Sequence, residues 1–286
     1  DTFWDLAVIL ILTALSSYFL FNYVERLRYK KNITSLMFGL FLICSLLGLF
    51  GSNINSMKLN EKELAIFNAF DDRDVYRCSR LFRLFNLTSN SCQIGKVESK
   101  KKVLLLGSSH ANAIKKSFTN SMDQANISTY FYVYNDPLMS EKQNEKIVLE
   151  EVVKNKISSV VIHYHPGFYD NPKDSSRLVT FLRRLEKLDV SFFIIAPLPT
   201  YDVHVPKAML KELQDNNFKF PYTTIPQYYY VSSNFFKFVK DNKISSKFIE
   251  YPHLLMCTSD KCIYEKEGVP YYYDSNHFTL TGAKSI

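Results

Sequence analysis

Val103-Leu-Leu-Leu-Gly-Ser-Ser-His110 is a short apolar run that gives way to a glycine and two serines, after which an amphipathic stretch begins. Four consecutive branched aliphatic residues ahead of a turn signal read as a strand with both faces covered, and the stretch 110–121 reads as the helix that follows. The same alternation continues to the end of the chain. Strands are expected at 102–106, 129–134, 159–164, 191–196 and 247–251, with helices at 110–121, 144–156, 175–188 and 226–241 between them. Strands that alternate with helices build a parallel sheet flanked by helices, an α/β fold whose reactive loops sit at the carboxyl ends of the strands.

The turn at Gly107-Ser-Ser109 is a suitable place for a nucleophile. A glycine allows a sharp strand-to-helix turn, and a serine there is held at a helix start, whose N–H groups can support an oxyanion. The bland rival is a helix N-cap, for which serine is equally suited. Far along the chain, Tyr273-Asp274-Ser275-Asn276-His277 places a carboxylate three residues before an imidazole, a spacing that lets Asp274 orient and stabilise His277. A strand-end serine, Ser108 or Ser109, together with Asp274 and His277 is therefore the candidate catalytic set. His163 and His165 alternate after another strand. Without a carboxylate cluster they make a weak metal-ligand set, so a core or substrate-facing role is preferred and no metal is assigned. The tyrosine runs 228–230 and 271–273 could stack on sugars, though such residues more often pack.

Outward from this domain the character of the sequence changes. Residues 3–23 and 33–50 are apolar runs long enough to cross a bilayer, joined by the basic loop Glu25-Arg-Leu-Arg-Tyr-Lys-Lys31, which marks the cytoplasmic side. An N-terminal transmembrane helical hairpin is expected, with everything after Gly51 outside the cell membrane. Apart from Cys44 in the second run, the cysteines form two local pairs, Cys78 with Cys92 and Cys257 with Cys262, which suits disulfides in an oxidising compartment. A Cys₄ zinc site is the competing and less favoured reading. The net charge of +7 comes from Lys and Arg interleaved with acids, without the long basic run of a nucleic-acid arm, so no nucleic-acid partner is expected. Both ends, Asp1 and Ile286, look cut from a longer polypeptide.

Gly107-Ser-Ser-His110 and Asp274-Ser-Asn-His277 resemble the first and last blocks of the SGNH hydrolase family, usually Gly-Asp-Ser and Asp-x-x-His. The likeness is greatest to SGNH domains fused to the C-terminus of acyltransferase-3 membrane proteins, the polysaccharide and O-antigen O-acetyltransferases. Ser16-Ser-Tyr-Phe-Leu-Phe-Asn-Tyr-Val-Glu25-Arg26 resembles the end of the last helix of that membrane domain, and the paired cysteines look like that subgroup too. Two positions depart from the family pattern. Ser108 stands where the supporting Asp is usual, so the resemblance implies Ser109 as the catalytic nucleophile with Ser108 as a backup, and His163-Tyr-His-Pro-Gly167 replaces the Gly-x-Asn-Asp block whose Asn helps the oxyanion hole. His165 or a backbone N–H near Asp136-Pro137 is the tentative substitute donor there.

The resemblance implies an O-acetyltransferase, anchored in a bacterial inner membrane with its catalytic domain periplasmic or extracellular. It would pass an acetyl group through an acyl-serine to a sugar hydroxyl of a surface polysaccharide such as the lipopolysaccharide O-antigen. Its implied partners are the acyltransferase-3 domain in cis, the membrane and a glycan acceptor. No cofactor is expected to be bound, acetyl-CoA being the ultimate donor through the membrane domain. The alternatives are an SGNH esterase acting on glycan or lipid esters and a non-catalytic glycan-binding module. The expected organisation is a membrane hairpin over 1–51, a connector over 52–101 and an SGNH-like catalytic domain over 102–286.

Overall fold

The computed structural model describes residues 59–285 except 87–88, 135–137 and 139–143, together with a few positions before residue 46. The two apolar runs at 3–23 and 33–50, and with them the expected membrane hairpin, lie almost wholly outside the described residues. Among the described residues no helix is long and apolar enough to cross a membrane. The chain divides into two units, Asp1–Leu59 and Asn60–Ile286, and every described strand belongs to the second.

That unit opens with α1 (Glu61–Asn68), started by a capping box between Asn60 and Glu63, and the short α2 (Arg80–Phe85). Then come β1 (Ser91–Gln93), β2 (Lys102–Gly107), α3 (Ser109–Gln124), β3 (Ser128–Tyr132), α4 (Glu145–Lys154) and β4 (Ser159–His163). A 3₁₀ turn, Pro166–Asp170, leads to α5 (Pro172–Lys187), β5 (Ser191–Ile195), α6 (Val205–Gln214), α7 (Ile225–Val231) and α8 (Ser233–Asp241). The chain finishes with β6 (Ile249–Glu250), α9 (His253–Met256), the hairpin β7 (Glu265–Lys266) and β8 (Val269–Pro270), and α10 (Leu280–Lys284).

Six strands form one sheet in the order β1-β3-β2-β4-β5-β6, all parallel except β1, which runs antiparallel to β3 with Cys92 opposite Phe131. The apolar run at β2 is continuous because both its faces are buried. Leu104 and Leu106 pack with Val160, Ile162 and Ile194 beneath side chains of α4, α5 and α8, while Val103 and Leu105 meet Ala111 of α3 on the other face. A separate aromatic cluster built on Tyr201, Phe220, Tyr264 and Tyr272 lies among the segments after β5. The α/β architecture expected of this region, a parallel sheet flanked by helices, is therefore present.

Three local expectations differ from the structure. Residues 60–101, read as part of a connector, fold into the compact unit: α1 packs on α6, and β1 extends the sheet. The single helix expected over 226–241 is two, divided at Ser232, where a β-branched valine followed by two serines is a weak helical run. The strand expected over 247–251 is a 3₁₀ turn, Ser246–Phe248, followed by only two paired residues.

Candidate active site

The strand-to-helix turn after β2 is held against β4. Gly107 pairs with His163, and a Cβ at Gly107 would overlap the His163 carbonyl oxygen, so only glycine fits this approach. The Ser108 N–H donates to that same carbonyl at 3.3 Å. Ser108 is the N-cap of α3, and its Oγ accepts from the backbone N–H groups of His110 (3.4 Å) and His165 (3.3 Å). Being 1% exposed, it serves to fasten the turn before Ser109 to the segment following β4. Ser109 is the first residue of α3, at the positive end of a sixteen-residue helix.

The second half of the site is a tight turn after β8. The Tyr273 N–H donates to the His277 carbonyl at 3.0 Å, closing the Asp-x-x-His loop. Within it, Asp274 Oδ1 accepts from the backbone N–H groups of Asn276 (2.9 Å) and His277 (2.8 Å). Asp274 Oδ2 lies 2.7 Å from His277 Nδ1, and His277 Nε2 lies 2.6 Å from Ser109 Oγ. Burial pushes the Asp274 carboxyl up, but the His277 hydrogen bond, the two amides and the imidazole charge outweigh it and hold its pKa below the usual value. An ionised Asp274 can only accept, so Nδ1 carries the imidazole proton. In the neutral ring Nε2 is then left to accept the Ser109 hydroxyl proton.

Two neighbouring elements fix this turn. After β5, Tyr201 and Val205 donate their backbone N–H groups to the carbonyls of Ser275 (2.9 Å) and Asp274 (3.1 Å). On the other side, Thr279 caps α10 through the Gly282 N–H at 2.8 Å, and α10 packs on α3. Gly282 sits so close to the backbone of Tyr271 that a side chain there would overlap it.

Three further histidines adjoin this relay through His110, in different states. His110 is 2% exposed, its ring centroid 4.8 Å from that of His277, 5.9 Å from His163 and 6.0 Å from His165. Burial, helped by these three imidazoles, holds its pKa well below the ordinary histidine value, so it is neutral near pH 7. His163 is fully buried, hydrogen-bonds the Ile195 carbonyl through Nδ1 at 3.2 Å and is lowered by burial to about 4. His165, the tentative oxyanion donor, has its backbone N–H committed to Ser108, and none of its hydrogen bonds reaches Ser109.

Tyr273, of the tyrosine run singled out in the sequence, faces the relay, and Arg73, which nothing in the sequence singled out, lies beside it. Tyr273 stacks on His277, ring centroids 5.4 Å apart and 6° from parallel, and the Arg73 guanidinium lies 5.7 Å from the Tyr273 centroid. The other tyrosines divide by environment: Tyr228, Tyr271 and Tyr272 are buried, whereas Tyr230 is 82% exposed. Cys78–Cys92 and Cys257–Cys262 are disulfides, so these thiols do not form the alternative zinc site. Among the described residues no group of three or more His, Cys, Asp or Glu side chains could hold a metal ion.

No curated protein sequence matches the chain. Among solved structures it is similar to the periplasmic domain of a lipopolysaccharide acetyltransferase from Salmonella ser. Paratyphi A, at 13% identity and a TM-score of 0.54, covering 80% of this chain and 95% of that one. At that identity the likeness establishes the fold. Residues 77–286 match the family described as the SGNH domain fused to AT3 domains. That match spans most of the chain and contains the whole Ser109–His277–Asp274 relay, and the chain accordingly belongs to the family of SGNH domains fused to AT3 domains.

Proposed function

We propose that this domain transfers an acetyl group to a sugar hydroxyl of a surface polysaccharide, such as a lipopolysaccharide O-antigen, by way of an acyl-serine. The observation that carries the reading is the unbroken relay from Ser109 Oγ through His277 to Asp274, at 2.6 and 2.7 Å. Ser109 Oγ attacks the acetyl carbonyl while His277 Nε2 takes its proton; the proton then passes to the departing group of the donor. In the second half a sugar hydroxyl gives its proton to Nε2 and attacks the acyl-serine, and the proton returns to Ser109 as the ester departs. Asp274 holds the imidazole in the required tautomer throughout. The start of α3, with the Ser109 N–H, is the group best placed to meet the developing oxyanion, and His165 is assigned to the substrate side.

Support for transfer over hydrolysis comes from the family, whose members are fused to AT3 domains, and from the name of the similar Salmonella domain. On this reading the acyltransferase-3 domain lies in cis in the bacterial inner membrane and draws acetyl groups from cytoplasmic acetyl-CoA, while Ser109 works on the periplasmic or extracellular side. The disulfides fit that compartment.

The test is to supply the full chain with a chromogenic acetyl ester, with and without purified polysaccharide, alongside a serine-reactive fluorophosphonate. Acetylated glycan and a labelled Ser109 are expected, and Ser109→Ala should lose at least about a hundredfold of the rate while Ser108→Ala retains label at Ser109. Acetate release unaffected by glycan would make the domain an esterase. No labelling of Ser109 would make it a non-catalytic glycan-binding module.

A further inference from the structure

The segment 71–78 touches both halves of the site. The Asp72 carbonyl accepts from the Leu280 N–H at 2.8 Å and its Oδ2 from the Thr281 N–H at 3.0 Å, three and four residues beyond His277. Next along, Arg73 lies against Tyr273, whose ring stacks on His277. Asp74 pairs with Lys115 of α3 at 3.3 Å, and the same ammonium donates to the carbonyls of Val75 (2.6 Å) and Arg77. Lys115 is only 4% exposed. The Arg77 N–H donates to Asn112 Oδ1 at 2.7 Å, and its guanidinium to the Val133 carbonyl at 2.8 Å. Cys78 then fastens the segment to β1 through Cys92.

Asn112 and Lys115 stand three and six residues after Ser109, roughly one and two turns along the same helix. One short stretch of chain is thus bonded to the helix that carries Ser109 and to the turn that carries His277, two parts 168 residues apart in sequence. A buried lysine is costly unless its donors are satisfied. Here burial lowers the Lys115 pKa, with Asp74 opposing the shift, and its partners are supplied almost wholly by this segment.

We propose that Asp72 and Asp74 are positioning residues: segment 71–78 is a clasp that sets the distance between Ser109 and His277. The clasp acts through α3 and α10. This rests on the reading of Ser109 and His277 as nucleophile and base. Displacing reacting groups by about 1 Å can cost about a hundredfold in rate, so a loosened clasp should appear as a loss of reactivity in a folded protein.

The experiment measures the rate of fluorophosphonate labelling of Ser109, with kcat and KM for a chromogenic acetyl ester, on the full chain well below its unfolding temperature. Asp72→Ala and Asp74→Ala should each slow labelling and lower kcat by roughly ten- to a hundredfold with KM changed less than about twofold. Asp72→Asn keeps an acceptor for the Thr281 N–H and should restore most of the rate. Labelling within twofold of the unaltered chain in both alanine variants would overturn the clasp, as would an Asp72→Asn variant as slow as Asp72→Ala. If one alanine variant fails to fold, the other decides the question on the same readings. An unaltered chain that does not label at all would instead sink the underlying assignment of Ser109, so the two failures are distinguishable.

Discussion

Ser108 and Ser109 are adjacent and chemically identical, yet their surroundings give them different work. Ser108 is buried and accepts two backbone N–H groups, whereas Ser109 Oγ meets His277 Nε2. At the same scale, Asp274 spends one oxygen on two backbone amides and the other on the imidazole, so its effect on Ser109 is expected to run entirely through His277. Asp274→Asn should leave a residual rate, because an imidazole without its carboxylate still samples the right tautomer; a loss of about a thousand- to ten-thousandfold is expected in kcat. His277→Ala removes the base, and the double variant should be no slower than His277→Ala alone, since groups acting as one unit are not additive. Initial rates on a chromogenic ester for the three variants provide the measurement. Losses that multiply would give Asp274 a separate role, such as holding substrate.

At the scale of elements, the site is made by the close approach of β2 and β4 at their carboxyl ends. Gly107 allows that approach, and Gly107→Ala must push the strand end away from the His163 carbonyl. Overpacking of this kind should destabilise the unit by about 3 kcal/mol, seen as a lower urea midpoint with an unchanged slope. Because Ser108 and Ser109 follow directly, labelling of Ser109 should slow as well. An alanine variant with the midpoint of the unaltered chain would show that β2 and β4 have room to separate.

For the whole molecule, buried neutral histidines link the fold to pH. Burial brings His163 from an ordinary 6.5 to about 4, and His110 is displaced in the same direction. The unfolded chain therefore binds more protons than the folded one between these values, so stability rises with pH through that window. The contribution is fully present above about pH 6.5 and lost as pH falls towards 4; for His163 it is on the order of 3 kcal/mol. Urea midpoints recorded from pH 7 to pH 4 should fall steeply, and less steeply in His163→Gln. Parallel slopes in the two proteins would mean that His163 takes up its proton as readily in the folded chain as in the unfolded one.

The strand, the glycine turn and the helix around Ser109 were legible in the sequence because they depend on local matters: a four-residue apolar run, a residue without a side chain, and a helical period afterwards. The Asp274–His277 turn and the two disulfide pairings were legible for the same reason, each joining residues at most fourteen positions apart. The family resemblance pointed to Ser109, but tertiary structure alone brought it to His277, since that contact spans 168 positions and depends on how α10 packs against α3. It also turned part of the supposed connector into an antiparallel edge strand and a clasp, because bonds such as Leu280 N–H to the Asp72 carbonyl leave no periodic trace in either segment. The gathering of His163, His165 and His277 around His110 is likewise a product of packing: spacing along a chain records which face a residue takes, not which distant face it will meet.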